Sequence, residues 1–195
     1  MTDLLTQLAA TGAIKHGHFL YASGKHGEVY VEKFNLLRDP AATSAACTFF
    51  ADRFRDERID VVVGPTTGGI ILAFETARQL GVASAYAERA SDGASGREIR
   101  RGTTFAPGTR VLVVDDILTT GGSVRETLAA LEVHPVEVVA VGVLVDRSGG
   151  KTSFDDVPLV PIAAVDFEAW PADTCPLCAQ GIPLEKPGTT ANPGK

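Results

Sequence analysis

Two adjacent carboxylates stand near the middle of this chain, directly after a run of apolar residues. Asp115 and Asp116 follow residues 111–114 (VLVV), and a short hydroxyl and glycine segment, residues 119–123 (TTGGS), comes soon after them. The apolar run predicts a buried strand, and open α/β sheets bind ligands at the carboxyl ends of their strands. A small-residue loop that opens a helix can surround a phosphate with backbone N–H groups. Because the carboxylates would repel that phosphate, we expect them to bind sugar hydroxyls together with a bridging Mg²⁺.

This stretch, residues 111–123, resembles the phosphoribosyl pyrophosphate (PRPP) motif of type I phosphoribosyltransferases at every position of the pattern. The resemblance implies that Asp115 and Asp116 hold the ribose 2′- and 3′-hydroxyls and, directly or indirectly, Mg²⁺. The segment 119–123 would surround the 5′-phosphate. The implied PRPP-binding residues are Asp115, Asp116, Ile117, Leu118, Thr119, Thr120, Gly121, Gly122 and Ser123. A strand end with two solvated acids, followed by an ordinary helix cap, would account for either half of the motif alone.

A second glycine loop, residues 64–70 (GPTTGGI), also joins an apolar strand to a helical segment. Its glycines permit the backbone to approach an anion closely. The resemblance makes this the pyrophosphate loop and implies PRPP contacts from Thr67, Gly68 and Gly69, although such turns are often rich in glycine for packing reasons. Many orotate enzymes carry a lysine here, where this chain has Gly68. The pyrophosphate charge would then be met by the backbone, Mg²⁺ and other basic residues.

A third segment, residues 88–102, is polar, interrupted by glycines and basic at several positions. Related enzymes carry a mobile catalytic loop here, usually rich in lysine and containing a histidine, and this segment contains neither residue. Arginine binds pyrophosphate through two parallel hydrogen bonds and is a competent substitute. We therefore take Arg89 and Arg97 as candidate catalytic residues in a lid over residues 89–101. The alternative is a solvated hairpin.

Two other regions indicate which nucleobase would receive the phosphoribosyl group. Residues 23–34 (SGKHGEVYVEKF) resemble the hood that covers orotate in orotate phosphoribosyltransferases, where the family's basic residue corresponds to Lys25 or His26. Arg147 ends an apolar strand at the position where the family places an arginine that contacts the base, and a guanidinium suits the carboxylate of orotate. Thr119 completes the implied orotate contacts. The alternatives are a solvated lysine and a charge pair at a strand end.

The resemblance implies an enzyme that converts orotate and PRPP to orotidine 5′-monophosphate and pyrophosphate in pyrimidine biosynthesis. It also implies Mg²⁺ as cofactor and a homodimer. One alternative is a purine or xanthine phosphoribosyltransferase, which the hood and Arg147 disfavour. The other is a regulator that senses PRPP without turnover, and such proteins usually carry a nucleic-acid-binding domain or a basic face.

The elements that would position these residues alternate between apolar strands and helices, which predicts a parallel sheet covered on both faces. The resemblance implies the α/β fold of type I phosphoribosyltransferases, a central mostly parallel sheet flanked by helices with a small N-terminal hood. Residues 1–185 would form one domain, with the hood mainly in residues 1–38, and residues 186–195 a flexible tail. The predicted helices are 2–12, 39–55, 70–80 and 122–131, and the predicted strands are 18–22, 29–34, 60–64, 84–87, 110–115, 136–145 and 158–167.

Composition excludes several classes of function. A net charge of −6 argues against a nucleic-acid partner. No apolar run is long enough for a transmembrane helix, and the N-terminus lacks the basic region of a secretory signal. We therefore expect a cytoplasmic protein with no membrane partner. Cys175 and Cys178 resemble half of a zinc site, which needs four ligands; two chains would have to pool their cysteines, and a turn with two thiols is the simpler prediction.

Overall fold

The computed structural model describes residues 4–21, 23–91 and 95–187, with eight strands and six α-helices among them. The helices are α1 Leu4–Ala10, α2 Lys33–Leu37, α3 Pro40–Phe54, α4 Gly68–Leu80, α5 Gly122–Glu132 and α6 Pro176–Ala179. The strands are β1 Ile14–Leu20, β2 His26–Val31, β3 Val61–Pro65, β4 Ala83–Arg89, β5 Arg97–Ile99, β6 Thr109–Leu118, β7 Val136–Asp146 and β8 Leu159–Ala164. Four parts of the predictions lie outside the described residues: residues 2–3 of the first helix, residue 22 of the first strand, residues 92–94 of the lid and residues 188–195 of the tail.

The central sheet has six strands in the order β5-β4-β3-β6-β7-β8. All neighbours pair in parallel except β4 and β5, which are antiparallel. Because β3 and β6 are parallel neighbours, the loops that follow them lie at the same edge of the sheet. The predicted α/β class with a mostly parallel central sheet is confirmed. The short edge strand β5, inside the predicted lid, was not expected from the sequence.

Two hydrophobic cores cover the two faces of this sheet, because successive side chains of a strand point to opposite sides. Val62, Leu112 and Val114 pack with helices α3 and α4 in one core. Val61, Val63, Val111 and Val113 pack with α5 in the other core. The remaining buried members of that core are Ala85, Leu118, Val124, Leu131, Val141, Val143 and Phe154. Burial on both faces explains why these strands are apolar without interruption.

The predicted start of α3 at Asp39–Pro40 and the predicted stop of α4 before Gly81 are both observed. The Asp39 side chain accepts hydrogen bonds from the backbone N–H groups of Ala41 and Ala42, at 3.0 and 3.1 Å, and Pro40 occupies the first position of α3. Helix α4 ends at Gly81, which has a left-handed backbone with φ 74°. These two helices hold the loop between β3 and α4 against the sheet.

The N-terminal hairpin differs from its prediction. Its strands β1 and β2 are antiparallel and begin earlier in the chain than the predicted strands 18–22 and 29–34. Residues 33–37 form the short helix α2, because the Glu32 side chain accepts a hydrogen bond from the Phe34 N–H group and starts a helical turn. The C-terminal segment, residues 170–185, pairs with this hairpin: His26 and Trp170 exchange two backbone hydrogen bonds, and Glu185 bonds to His18 and Leu20.

Within the described ranges, the longest and most apolar helices fall short of what is needed to cross a membrane.

The packing around Gly142 generates a stability prediction. A Cβ atom on this β7 residue would lie 2.8 Å from the ring of Phe50, a side chain with no solvent exposure. We expect Gly142→Ala to lower the free energy of unfolding by about 1–3 kcal/mol through overpacking, as measured by urea denaturation. Gly122→Ala is the control, since its Cβ would meet only Thr120 at 3.8 Å. Equal effects of the two substitutions would contradict this account.

Candidate functional site

The two carboxylates lie inside the last part of β6, which extends through Leu118 because its pairing with β7 continues that far. Asp115 is 5% exposed and Asp116 is 3% exposed. Asp115 accepts a hydrogen bond from the backbone N–H of Asp116 at 2.8 Å and from the Ser123 hydroxyl at 2.6 Å. The first carboxylate of the PRPP-type motif is therefore hydrogen-bonded directly to the last residue of the motif.

Lys33 balances part of this negative charge. Its Nζ donates a hydrogen bond to Oδ1 of Asp116 at 2.9 Å and lies 2.8 Å from Oδ2, so the ammonium bridges both oxygens. Lys33 belongs to the hood region but was not among the predicted site residues. Residues 33 and 116 are far apart in sequence, and nothing in the local pattern indicates that they pair.

The pKa of Asp115 is raised to about 6, mainly by burial and secondly by the neighbouring negative charge of Asp116. The Ser123 hydroxyl, the Asp116 backbone N–H and the Lys33 charge act in the opposite direction. The site therefore contains more negative charge than its polar partners compensate, which is an arrangement suited to a cation or to hydroxyl donors.

The loop 119–123 is built to present backbone N–H groups. Thr119 and Thr120 are exposed, and Gly121 has a left-handed backbone with φ 78° immediately before α5. A side chain at Gly121 would be strained, and its Cβ would also meet the Thr152 methyl at 2.8 Å. The first N–H groups of α5 have no partners within the helix, and the helix dipole adds a positive field. The loop can bind a phosphate.

The predicted pyrophosphate loop lies against this site. A Cβ on Gly68 would overlap Oδ2 of Asp116, and a Cβ on Gly69 would lie 2.6 Å from the Pro65 ring. Gly68 is therefore needed for the close approach of this loop to the carboxylate. This close contact with Asp116 is a physical reason why glycine occupies position 68, where many orotate enzymes have lysine. Of the three predicted pyrophosphate contacts, Gly68 is the one that lies directly beside the acidic pair.

Arg97, on β5, connects the predicted lid to the pyrophosphate loop. Its side chain is 5% exposed, and its Nη1 donates hydrogen bonds to the Thr66 hydroxyl at 2.8 Å and to the Ala87 carbonyl at 3.1 Å. Its Nε lies 3.3 Å from Glu126, and its charge interacts with that of Asp115. Burial lowers the pKa of this guanidinium. Arg97 is thus placed at the site.

Arg89 ends β4 close enough to Arg97 for the two charges to repel. Arg100 pairs with Glu98 and Arg101 with Glu88 on the exposed side of the segment, at 2.7 and 3.0 Å. We keep Arg89 and Arg97 as the candidates for contact with an anionic substrate, because Arg97 contacts the pyrophosphate loop and Arg89 lies near Arg97.

Arg147 joins the sheet edge to the hairpin. Its guanidinium lies over the Tyr21 ring at 5.1 Å and over the Phe167 ring at 5.2 Å, and its backbone N–H donates to the Leu118 carbonyl at 2.7 Å. Burial raises the pKa of Tyr21, and the Arg147 charge partly offsets that rise. A guanidinium that contacts two aromatic rings is restrained in position, and a planar anion can bind the N–H groups that Tyr21 does not occupy.

The two predicted hood contacts separate in the structure. Lys25 is exposed in the hairpin turn, where its carbonyl accepts a hydrogen bond from the Tyr21 N–H at 2.8 Å. His26 is buried, and its ring contacts His18 and Cys178 at 3.0 and 3.3 Å. We therefore assign His26 to that cluster and keep Lys25, with Thr119 and Arg147, as the candidate orotate contacts.

Comparison with known proteins identifies the family. A model described as "Phosphoribosyl transferase domain" matches residues 34–177. Orotate phosphoribosyltransferase of Caldicellulosiruptor bescii is 44% identical over 179 residues, 92% of each chain. The Thermus thermophilus enzyme of the same name is 40% identical over 184 residues, 94% of this chain and 99% of the relative. The crystal structure of orotate phosphoribosyltransferase from Aeropyrum pernix superposes with a TM-score of 0.72 at 29% identity, covering 83% of this chain and 93% of that one.

The raised pKa of Asp115 predicts that the stability difference between the wild type and Asp115→Asn changes with pH. Its folded-state pKa of about 6 exceeds the ordinary aspartate pKa of 3.8, so the folded chain binds more protons in this interval and loses stability as pH rises through it. Asp115→Asn removes the effect. We expect the variant's free energy of unfolding, relative to wild type, to be about 1–3 kcal/mol higher at pH 7 than at pH 4. Urea denaturation at several pH values would measure it. Asp156→Asn, at an exposed aspartate, is the control; the same gain there would refute the assignment to Asp115.

Proposed function

Since this chain belongs to the orotate phosphoribosyltransferase family, we propose that it transfers the phosphoribosyl group of PRPP to orotate. The products are orotidine 5′-monophosphate and pyrophosphate, and the reaction is a step of pyrimidine biosynthesis. One observation carries the proposal: the PRPP motif and Arg147 end two neighbouring parallel strands, with Leu118 opposite Asp146 and the Arg147 N–H bonded to the Leu118 carbonyl. A phosphate loop and a cation for an anionic base thus lie at one edge of the sheet.

We assign PRPP to the two loops at this edge. Asp115 and Asp116 accept hydrogen bonds from the ribose hydroxyls, and residues 117–123 surround the 5′-phosphate with the backbone N–H groups at the start of α5. Thr67, Gly68 and Gly69 contact the pyrophosphate. This assignment is supported by the contact between Gly68 and Asp116, which keeps the two loops adjacent.

Mg²⁺ fits this acidic pair. Two buried carboxylates, one with a raised pKa, have a single ammonium partner among the described residues, Lys33, and carboxylate oxygens are preferred Mg²⁺ ligands. We propose that Asp115 and Asp116 hold Mg²⁺ either directly or through water. When bound, the ion neutralises charge on the pyrophosphate leaving group.

Positioning and charge stabilisation account for the chemistry without a nucleophilic side chain. The ribose carbon becomes cationic as its bond to pyrophosphate breaks, and the buried carboxylates beside the sugar stabilise positive charge. Arg97 and Arg89 would stabilise the departing pyrophosphate through charge-assisted hydrogen bonds. Arg97 is already directed at Thr66 of the pyrophosphate loop at 2.8 Å, so closure of the remaining lid requires little rearrangement of this residue.

Orotate is assigned to the space between the hairpin and the ends of β6 and β7. Arg147 binds the orotate carboxylate, while Thr119 and Lys25 complete the contacts. The two rings on either side of Arg147 restrict its guanidinium before the base arrives, which lowers the entropy lost on binding.

We also propose a homodimer, supported by the exposed apolar face of α4. Ile71 is 38% exposed and Phe74 is 64% exposed on this helix, beside Leu37 and Pro40. Large exposed apolar side chains in one patch are typical of an association surface. The free thiols of Cys47, Cys175 and Cys178 favour a reducing compartment, and we propose the cytoplasm.

A base-competition assay tests the function. The chain is incubated with PRPP, Mg²⁺ and either orotate, adenine, hypoxanthine or xanthine, and pyrophosphate release is followed. We expect release with orotate alone. Release with a purine instead would refute orotate as the substrate while leaving PRPP binding intact. PRPP binding without turnover on any base would indicate a sensing regulator.

The position of Arg147 predicts that its removal weakens the use of orotate but not the binding of PRPP. Truncating a charged hydrogen-bonding partner costs about 2–4 kcal/mol, so Arg147→Ala should lower orotate kcat/KM by about thirty- to a thousandfold. PRPP affinity, which depends on residues 115–123, should change by less than about threefold. Arg53→Ala is the control, since Arg53 also lies over a ring, that of Phe54, at 5.0 Å. An equal loss of PRPP and orotate binding in Arg147→Ala would make Arg147 structural.

A further inference from the structure

Four metal-ligand side chains meet beneath the hairpin, outside the proposed active site. His18 lies on β1, His26 opens β2, Cys175 caps α6 and Cys178 lies within it. One potential ligand atom from each residue lies within 4.8 Å of the other three. One chain therefore offers four potential metal-ligand side chains, and two chains need not pool their cysteines. Counting cysteines alone missed the two histidines, one of which the hood motif had assigned to the base.

The spacing of these atoms fits a tetrahedral zinc site. With Zn–N bonds of about 2.0 Å and Zn–S bonds of about 2.3 Å, the edges of the tetrahedron are about 3.3–3.8 Å. Four of the six edges are 3.0 Å between the histidine nitrogens, 3.5 and 3.7 Å from His18 to the two sulfurs, and 3.3 Å from Cys178 to His26. The other two edges, from Cys175 to Cys178 and to His26, are no longer than 4.8 Å. A metal ion at the centre requires adjustments of a few tenths of an ångström along the four shorter edges, and Cys175 must approach the other ligands.

The surroundings of His18 orient it as a ligand. Its Nδ1 lies 2.7 Å from the Ile182 carbonyl oxygen, which accepts a hydrogen only from a protonated Nδ1. In the neutral ring the lone pair is therefore on Nε2, the atom that faces the other three residues. A backbone carbonyl that fixes the tautomer in this way is the usual partner of a zinc-bound histidine.

Hydrogen bonding alone accounts poorly for the cluster. The Nε2 of His18 has one lone pair, yet His26 Nδ1, Cys175 Sγ and Cys178 Sγ all lie 3.0–3.7 Å from it. Only one of these three groups can donate to that lone pair with good geometry. A central cation is approached by all four atoms at once. Two thiolates and two imidazoles in a tetrahedron select zinc among the common divalent metals.

We propose that His18, His26, Cys175 and Cys178 bind one Zn²⁺ per chain as a structural site. Four protein ligands complete the tetrahedron and leave no position for water, so the ion has no catalytic role. It joins the hairpin to the C-terminal segment, residues 170–185, between two backbone pairings: His26 with Trp170 on one side, and His18 and Leu20 with Glu185 on the other.

Metal content tests the site without reference to enzymatic activity. The full chain, without a histidine tag and purified under reducing conditions from zinc-supplemented cells, should contain about one zinc per chain. Cobalt replacement should give the intense visible absorption of a tetrahedral thiolate site. Less than about 0.1 zinc per chain, or a Cys175–Cys178 disulfide in the freshly purified protein, would overturn the proposal.

Matched cysteine variants separate ligation from general thiol effects. Cys178→Ser changes an exposed residue and should fold, but should weaken zinc binding by more than the 10- to 100-fold typical of outer-shell changes. Cys47→Ala removes the thiol that lies outside the cluster, on α3, and should keep the full zinc content. Wild-type zinc affinity in Cys178→Ser would refute the ligand set.

Hydrogen exchange tests the joining role. Removal of zinc by a chelator should lower the melting temperature and increase amide exchange in residues 14–31 and 170–187. Exchange in β6 and α5, residues 109–132, should stay unchanged because their hydrogen bonds lie in and beside the central sheet. Unchanged exchange in the hairpin after zinc loss would refute the joining role.

Discussion

Two like charges buried side by side at the end of β6 determine the arrangement of the groups around them. Adjacent buried carboxylates repel each other and lose hydration, so they persist only where donors and cations compensate. The two compensating side chains come from different parts of the chain, Ser123 from the start of α5 and Lys33 from the hood. Gly68 adds no charge or donor but lets a third segment approach closely. The site is therefore assembled from three regions around one pair of acids. The residual charge imbalance supports the proposal that this site binds sugar hydroxyls and a cation.

The parts that could be predicted from sequence are those whose determinants are contiguous. A buried strand, a small-residue loop and a helix start occur together in residues 111–123, and the same succession recurs near residue 64, so parallel strand order brings both loops to one edge. The caps at Asp39 and Gly81 are equally local. Such features need no knowledge of how distant segments pack, and the mostly parallel sheet follows from their alternation.

The parts that could not be predicted depend on pairings between distant residues. The bridge from Lys33 to Asp116 spans 83 positions, and the contacts of His18 with the two cysteines span 157 and 160. No periodicity or motif records such a distance. The hairpin register was displaced for a related reason: the Glu32 cap begins α2 inside a stretch whose β-branched and aromatic residues favour a strand. His26 illustrates the limit of a motif, since a basic residue at the expected spacing faces a different set of partners.

The candidate site has two halves, one attached to the central sheet and the other to the N-terminal hairpin. The PRPP half consists of loops anchored on central strands whose side chains are buried on both faces, so its geometry is supported by the most stable part of the fold. The half assigned to the base depends on a two-stranded hairpin, which is marginal alone and is held by the C-terminal segment and by Arg147 between two rings. A hairpin held by a few side chains can change its base contacts without altering the sheet. Under the proposed assignment, the choice of base therefore depends on the hood and its attachments, whereas PRPP binding depends on the sheet.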